Sequence, residues 1–125
     1  MPFKTKWLRK GVEWQFIGNV TGKEFLEAKI SIYGDARFDE LEIQIADFLN
    51  IDQFTADEVD IKKVAYFDQA AAKSNPKVKV AILANNSDLR DYADLYAAYL
   101  SDIDWDIQIF RDRKSATNWL GQMPA

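Results

Sequence analysis

The sequence predicts an α/β fold: a mixed five-stranded sheet, elements in the order β-β-α-β-α-β-α-β-α, with helices mainly on one face. Three observations carry this. Short apolar runs suited to strands alternate along the chain with stretches of helical period. Thr-x-x-Glu stands at two junctions between them, as Thr21-Gly22-Lys23-Glu24 and Thr55-Ala56-Asp57-Glu58. In such a box the Thr hydroxyl accepts from the third helical N–H and the Glu reaches back to the cap N–H. Finally, four strands begin with strict alternation, as in Val12, Trp14 and Phe16 against Glu13 and Gln15. A sheet covered fully on both faces would show unbroken apolar runs instead.

The elements follow in order. Thr5–Leu8 and Val12–Ile17 read as two strands joined at Lys10-Gly11. The first helix runs from about Lys23 to Tyr33, with Leu26, Ile30 and Tyr33 as its main face and Phe25 beside them; Gly34-Asp35 stops it. The third strand is Leu41–Phe48, with Leu41, Ile43 and Ile45 expected inside and Glu42 and Gln44 outside. The second helix covers Ala56 to Lys73 behind a broad stripe of Val59, Val64, Phe67, Ala70 and Ala71, and Asn75-Pro76 ends it. Val78–Leu83 is the fourth strand, with Lys77 and Lys79 outward. The third helix, about Asp88–Leu100, has the cleanest period, with Leu89, Tyr92, Ala93, Tyr96 and Leu100 in register and Ser87 as its expected cap. Trp105–Phe110 is the last strand, and Asp112 caps a final helix over Arg113–Gln122. Helical links between the later strands imply parallel pairing, with the opening hairpin as an antiparallel edge.

Composition narrows the function. The 125 residues suit one domain spanning 1–125, with no linker or repeat. Cysteine and histidine are both absent. Thiol catalysis, thiolate metal sites and imidazole chemistry are thereby excluded, and no cofactor-binding or metal-ligating motif is present. The net charge of −4 argues against nucleic acid as a partner, the one basic cluster being Lys4, Lys6, Arg9 and Lys10. No apolar run has the length of a membrane span and the N-terminus lacks a signal peptide's apolar segment, so a cytoplasmic protein is expected. Gly18-Asn19-Val20-Thr21-Gly22 has too few glycines for a phosphate loop.

Gly18–Phe25 opening the first helix, the strand Ile43–Phe48 and the strand Val78–Leu83 before the third helix together resemble the STAS domain family, named for sulfate transporters and anti-sigma-factor antagonists. The chain is most similar to its SpoIIAA-like branch. The resemblance implies a small domain that works by binding. In the antagonists a Ser or Thr opening the second helix is phosphorylated by a partner kinase, within Asp-Ser-Ser-Gly. Here that stretch is Asn50-Ile51-Asp52-Gln53-Phe54-Thr55, and Thr55 alone keeps a hydroxyl at its end.

Three readings of function result. The first is a non-enzymatic regulatory or ligand-binding domain that binds a protein partner or small ligand at the carboxyl ends of the strands, where Asp52, Thr55, Asn85, Asn86, Ser87 and Arg111 gather and the helix starts suit an anion. Phosphate on Thr55 or Ser87 would alter that surface. The second is a carrier of a lipid or other apolar ligand in a groove lined by Leu95, Tyr96 and Tyr99, since the branch is similar in layout to Sec14-type lipid-binding folds. The third is a carboxylate-based enzyme using Asp47, Asp52 or Asp57, against which stands the ordinary place of acidic residues at helix starts. An exposed apolar patch on the second and third helices would imply a homodimer.

Overall fold

The computed structural model describes residues 3–121. Its elements are β1 (Phe3–Leu8), β2 (Gly11–Thr21), α1 (Gly22–Tyr33), a 3-10 turn at Ala36–Glu40, β3 (Ile43–Thr55), α2 (Glu58–Ala72), β4 (Lys79–Leu83), α3 (Ser87–Tyr99), β5 (Asp106–Phe110) and α4 (Arg113–Leu120). The strands lie in the order β1-β2-β3-β4-β5, with β1 antiparallel and the others parallel. This is the predicted order of elements. The last helix ends at Leu120; Gln122, where it was expected to end, lies outside the described residues.

Each crossover steps to the next strand in the same direction, so connections of one hand place α1, α2 and α3 on one face. After β5 no strand remains to be joined, and α4 packs on the other face. The main core accordingly holds Val12, Trp14 and Phe16 of β2, Ala46 and Phe48 of β3, Val80 and Ile82 of β4, and the inner sides of α1–α3. A smaller cluster joins Ile43, Ile45, Ala81 and Leu83 to Ala116 and Leu120 of α4.

That second cluster corrects the strand reading. Ile43 and Ile45 face α4, and Gln44 faces the main core, where it is fully buried. Alternation gave the period of β3 correctly but the wrong face. Ile43 and Ile45 stay dry because α4 covers them, and Gln44 stays inside because it accepts a hydrogen bond from buried Lys29. Glu42, Lys77 and Lys79 are exposed as expected.

Helix faces are corrected too. α1 buries Phe25, Ala28, Lys29 and Ile32, while Ile30 is exposed. α2 buries Ile61, Val64, Ala65, Asp68 and Ala72, leaving Val59, Tyr66 and Phe67 outside. In both, a charged residue lies on the buried stripe, and the search for an all-apolar stripe turned the helix away from its true face.

β3 is also longer than predicted. It pairs with β4 only from Ile43 to Asp47, then runs on beside β2 as far as Thr55 opposite Thr21. The register slips between Gln15 and Ile17 and again at Gly18, whose φ of 72° suits a residue with no Cβ. The result is a two-stranded ribbon projecting beyond β4 and β5.

Candidate functional site

The ribbon shapes the carboxyl pole of the sheet. At its tip Phe54 packs edge-on against Tyr92 of α3, with ring centres 5.6 Å apart. The Tyr92 hydroxyl donates to the Ala56 carbonyl at 2.5 Å. The tip is thus folded onto the first half of α3, which brings Thr55 toward the helix that begins at Ser87. On the far side, the Ala84 N–H donates to the Phe110 carbonyl at 2.8 Å, setting Asn85 beside Arg111. Asp52 lies exposed along the ribbon. The predicted edge therefore has two parts: Asn85, Ser87 and Arg111 at the ends of β4 and β5, and Asp52 and Thr55 on the ribbon. Phe54 and Tyr92 join them.

Capping differs from the sequence reading at two of four helices. The Thr21 box forms as expected: Thr21 Oγ1 accepts from Glu24 N at 3.2 Å, and Thr21 N donates to Glu24 at 2.8 Å. Asp112 also caps as expected, accepting from Ser115 N at 2.7 Å, which holds its carboxyl below the usual carboxylate range. At α2 the cap is Asp57, not Thr55. Asp57 accepts from Asp60 N at 2.9 Å while Asp60 accepts from Asp57 N. The long β3 consumes Thr55 as its final residue and moves the helix start onward. At α3 the cap is Asn86, which accepts from Asp88 N and Leu89 N, and Ser87 is the first helical residue. Thr55 and Ser87 are both exposed, and among the described residues neither hydroxyl is engaged in a cap.

Among the described residues Leu95, Tyr96 and Tyr99 do not line a common groove. Tyr96 is fully buried. Its hydroxyl donates to Asp68, and burial, reinforced by that carboxylate, pushes its pKa well above the usual phenol value. Tyr99 is half-buried and donates to Glu58 at 2.6 Å, a bond that pushes its pKa up to about 12. Leu95 borders a shallow acidic depression with Asp88 and Asp91. The space enclosed by Phe25, Phe48, Phe54 and Tyr96 is about 10 Å³, no more than one water-sized sphere and far below an acyl chain.

Asp47 is likewise committed. Arg113, the first residue of α4, sends Nη2 to Asp47 Oδ2 at 2.8 Å and to Glu13 Oε2 at 2.9 Å. Burial works to lower the Arg113 pKa, and the bonds to Glu13 and Asp47 outweigh it and raise it. Asp47 Oδ1 accepts from Leu49 N at 2.9 Å. Here a carboxylate pair anchors a helix on the second face. Asp52 is exposed on the ribbon and Asp57 is a cap, so the three carboxylates do not converge.

A further cluster of ionisable groups, displaced by burial, lies in the main core. Lys29 Nζ stands 3.1 Å from Asp68 Oδ2, 2.6 Å from Gln44 Oε1 and 3.0 Å from the Tyr96 hydroxyl. Tyr33 and Tyr96 both donate to Asp68. Trp14, Phe25, Tyr96 and Trp105 surround the ammonium, with ring centres 5.3 to 5.8 Å away. Burial lowers the Lys29 pKa and raises that of Asp68, each against the pull of its partner. Sequence reading missed this group. The signal was present: Phe25, Lys29 and Ile32, and Ile61, Val64, Asp68 and Ala72, keep helical spacing with opposite charges inside each stripe.

No family model matches the chain, and no curated protein matches it. Solved structures do. The anti-sigma factor antagonist SpoIIAA in its unphosphorylated form aligns with a TM-score of 0.63 and 8% identity, over 97% of this chain and 99% of that chain. An uncharacterized protein with a SpoIIAA-like fold from Shewanella loihica aligns with a TM-score of 0.54 and 13% identity, over 95% and 92%. The predicted architecture is thus the observed one: a SpoIIAA-like α/β fold. Among the described residues no helix is long and apolar enough to cross a membrane.

Proposed function

We propose that the chain is a non-enzymatic regulatory domain that binds a protein partner or small anionic ligand at its carboxyl pole, through Asp52, Thr55, Asn85, Asn86, Ser87 and Arg111. One observation supports this above the others. Two hydroxyls, Thr55 and Ser87, are exposed at the starts of α2 and α3 and free of capping duty, and Phe54 against Tyr92 holds the tip that carries Thr55 in place. A phosphate at either position would add nearly two negative charges to the surface without removing a cap. The likeness in fold to an anti-sigma factor antagonist points the same way. Lys29 and Asp68, whose pKa values burial displaces, are sealed in the core rather than set in a cleft, which favours binding over catalysis.

The test is affinity capture from the source cell with the wild-type chain, Thr55→Glu and Ser87→Glu, each checked for unchanged thermal unfolding. A partner retained by the wild type and lost with either variant supports the pole. The same partners recovered with all three chains would refute it.

A further inference from the structure

A different face carries most of the exposed apolar side chains. Four of the five large apolar side chains exposed among the described residues lie on two neighbouring helices: Ile30 on α1 at 42% and Val59, Tyr66 and Phe67 on α2 at 57%, 67% and 38%. The two helices run side by side in the same direction. A Cβ on Gly22, at the start of α1, would touch Asp60 and Ala56 at the start of α2, and Tyr33 near the end of α1 reaches Asp68. Helical spacing then groups the exposed residues. Leu26, Ile30 and Tyr33 form the edge of α1 nearest α2, and Val59, Lys63 and Phe67 form a line along the outside of α2. Tyr66 and Phe67 pack edge-on with ring centres 5.8 Å apart. The apolar surface is therefore continuous over the seam, where an isolated domain would keep such residues scattered.

We infer that a second copy of this chain covers this seam, α1 of one copy lying over α2 of the other. The charges favour that occupant. The outer side of α1 carries the exposed Glu27 one turn before Ile30, with Lys23 a turn earlier at the helix start, while the Glu24 carboxylate is taken up by the Thr21 capping box. The outer side of α2 carries Lys63 within its apolar line, whereas Lys62 turns toward α3 and pairs with Glu58. Neither Glu27 nor Lys63 forms an ion pair among the described residues. A two-fold axis along the seam sets Glu27 of each α1 against Lys63 of the partner α2, and writes that contact twice. Like-on-like stacking of two α1 helices would instead oppose Glu27 to Glu27.

Sedimentation equilibrium of the full chain over a wide concentration range tests this. The expected result is a concentration-dependent dimer that Phe67→Glu converts to monomer with unchanged circular dichroism. Glu27→Lys and Lys63→Glu should each weaken the dimer by about tenfold, since each reverses two contacts. Glu27→Lys and Lys63→Glu combined in one chain should restore it, as should mixing the two single variants. A monomer at every concentration overturns the inference, whether or not another molecule binds the seam. So does a dimer indifferent to Phe67→Glu, or charge reversals that fail to rescue each other. The pole reading stands or falls separately, because none of these substitutions touches it.

Discussion

The Lys29–Asp68 pair gives the sharpest energetic prediction. Its atoms are 3.1 Å apart with no exposure on either side chain. At that distance and an effective dielectric of about 20, the attraction is about 5 kcal/mol. Desolvation of both ions opposes it, so the net worth of the intact pair is small. Breaking the pair is another matter. Lys29→Met leaves Asp68 held only by the hydroxyls of Tyr33 and Tyr96, and Asp68→Asn leaves Lys29 without a counter-charge. Each should cost about 3–5 kcal/mol, a large part of the roughly 5–15 kcal/mol that stabilises a domain. The double variant should fall short of the sum by about 3 kcal/mol. Denaturant titration of the four proteins gives the cycle. The pH dependence supplies a second reading. Burial raises Asp68's folded pKa above its unfolded value of 3.8, and removing Lys29 raises it further. The folded state then holds a proton that the unfolded chain releases, so stability is lost as pH rises through that window. The cost of Lys29→Met should therefore shrink as the pH is lowered. Asp68→Asn should slope the other way. Lys29's folded pKa lies below 10.5, the unfolded chain binds the extra proton between the two values, and stability rises with pH there. Additive costs in the cycle, or a Lys29→Met chain as stable as wild type at neutral pH, would refute the assignment.

Three further outcomes check local structure. Asp57→Ala and Asn86→Ala should each cost about 1 kcal/mol by thermal or denaturant unfolding, since each deletes a cap. Thr55→Ala and Ser87→Ala should stay within about 0.5 kcal/mol, and a larger loss would return capping to the hydroxyls. Gly22→Ala should cost about 1–3 kcal/mol by crowding, because its Cβ would stand 2.7 Å from Asp60 Cβ and 2.8 Å from Ala56 Cβ. An unchanged midpoint would mean that α1 and α2 separate freely at their starts.

The order of elements was legible because strands and helices differ in period, and each period survives an error of facing. Val12, Trp14 and Phe16 showed the covered side of β2 correctly because that strand has polar residues only outward. β3 misled because its inward residue, Gln44, is polar, and its outward residues, Ile43 and Ile45, are covered by a helix far along the chain. Alternation cannot tell which face a distant helix will cover. Lys29 and Asp68 misled similarly: a charge on an apolar stripe looks like an interruption until its partner on another helix is known. The shift of the α2 cap from Thr55 to Asp57 has the same origin. Pairing with β2, not the residues near Thr55, decides where β3 ends. At the pole, the sequence indicated which residues would be exposed; the fold of the tip, through Phe54 and Tyr92, depended on contacts across the chain.

The buried polar group also bears on how the two outer surfaces work. Lys29 and Tyr33 belong to α1, Asp68 to α2, Tyr96 to α3 and Gln44 to β3, and all meet at one point. Sliding any of these helices by one turn would strand a charge or a hydroxyl in the core, at a cost comparable with the domain's whole stability. The helices whose starts form the pole and whose outer sides form the seam are therefore fixed relative to one another. A partner docking at the proposed pole would meet a rigid surface, and a phosphate on Thr55 or Ser87 would act by changing that surface's charge and shape, with no internal rearrangement needed to transmit it. For the same reason the α1–α2 seam is already assembled in a single chain, so the proposed dimer would require ordering of surface side chains alone.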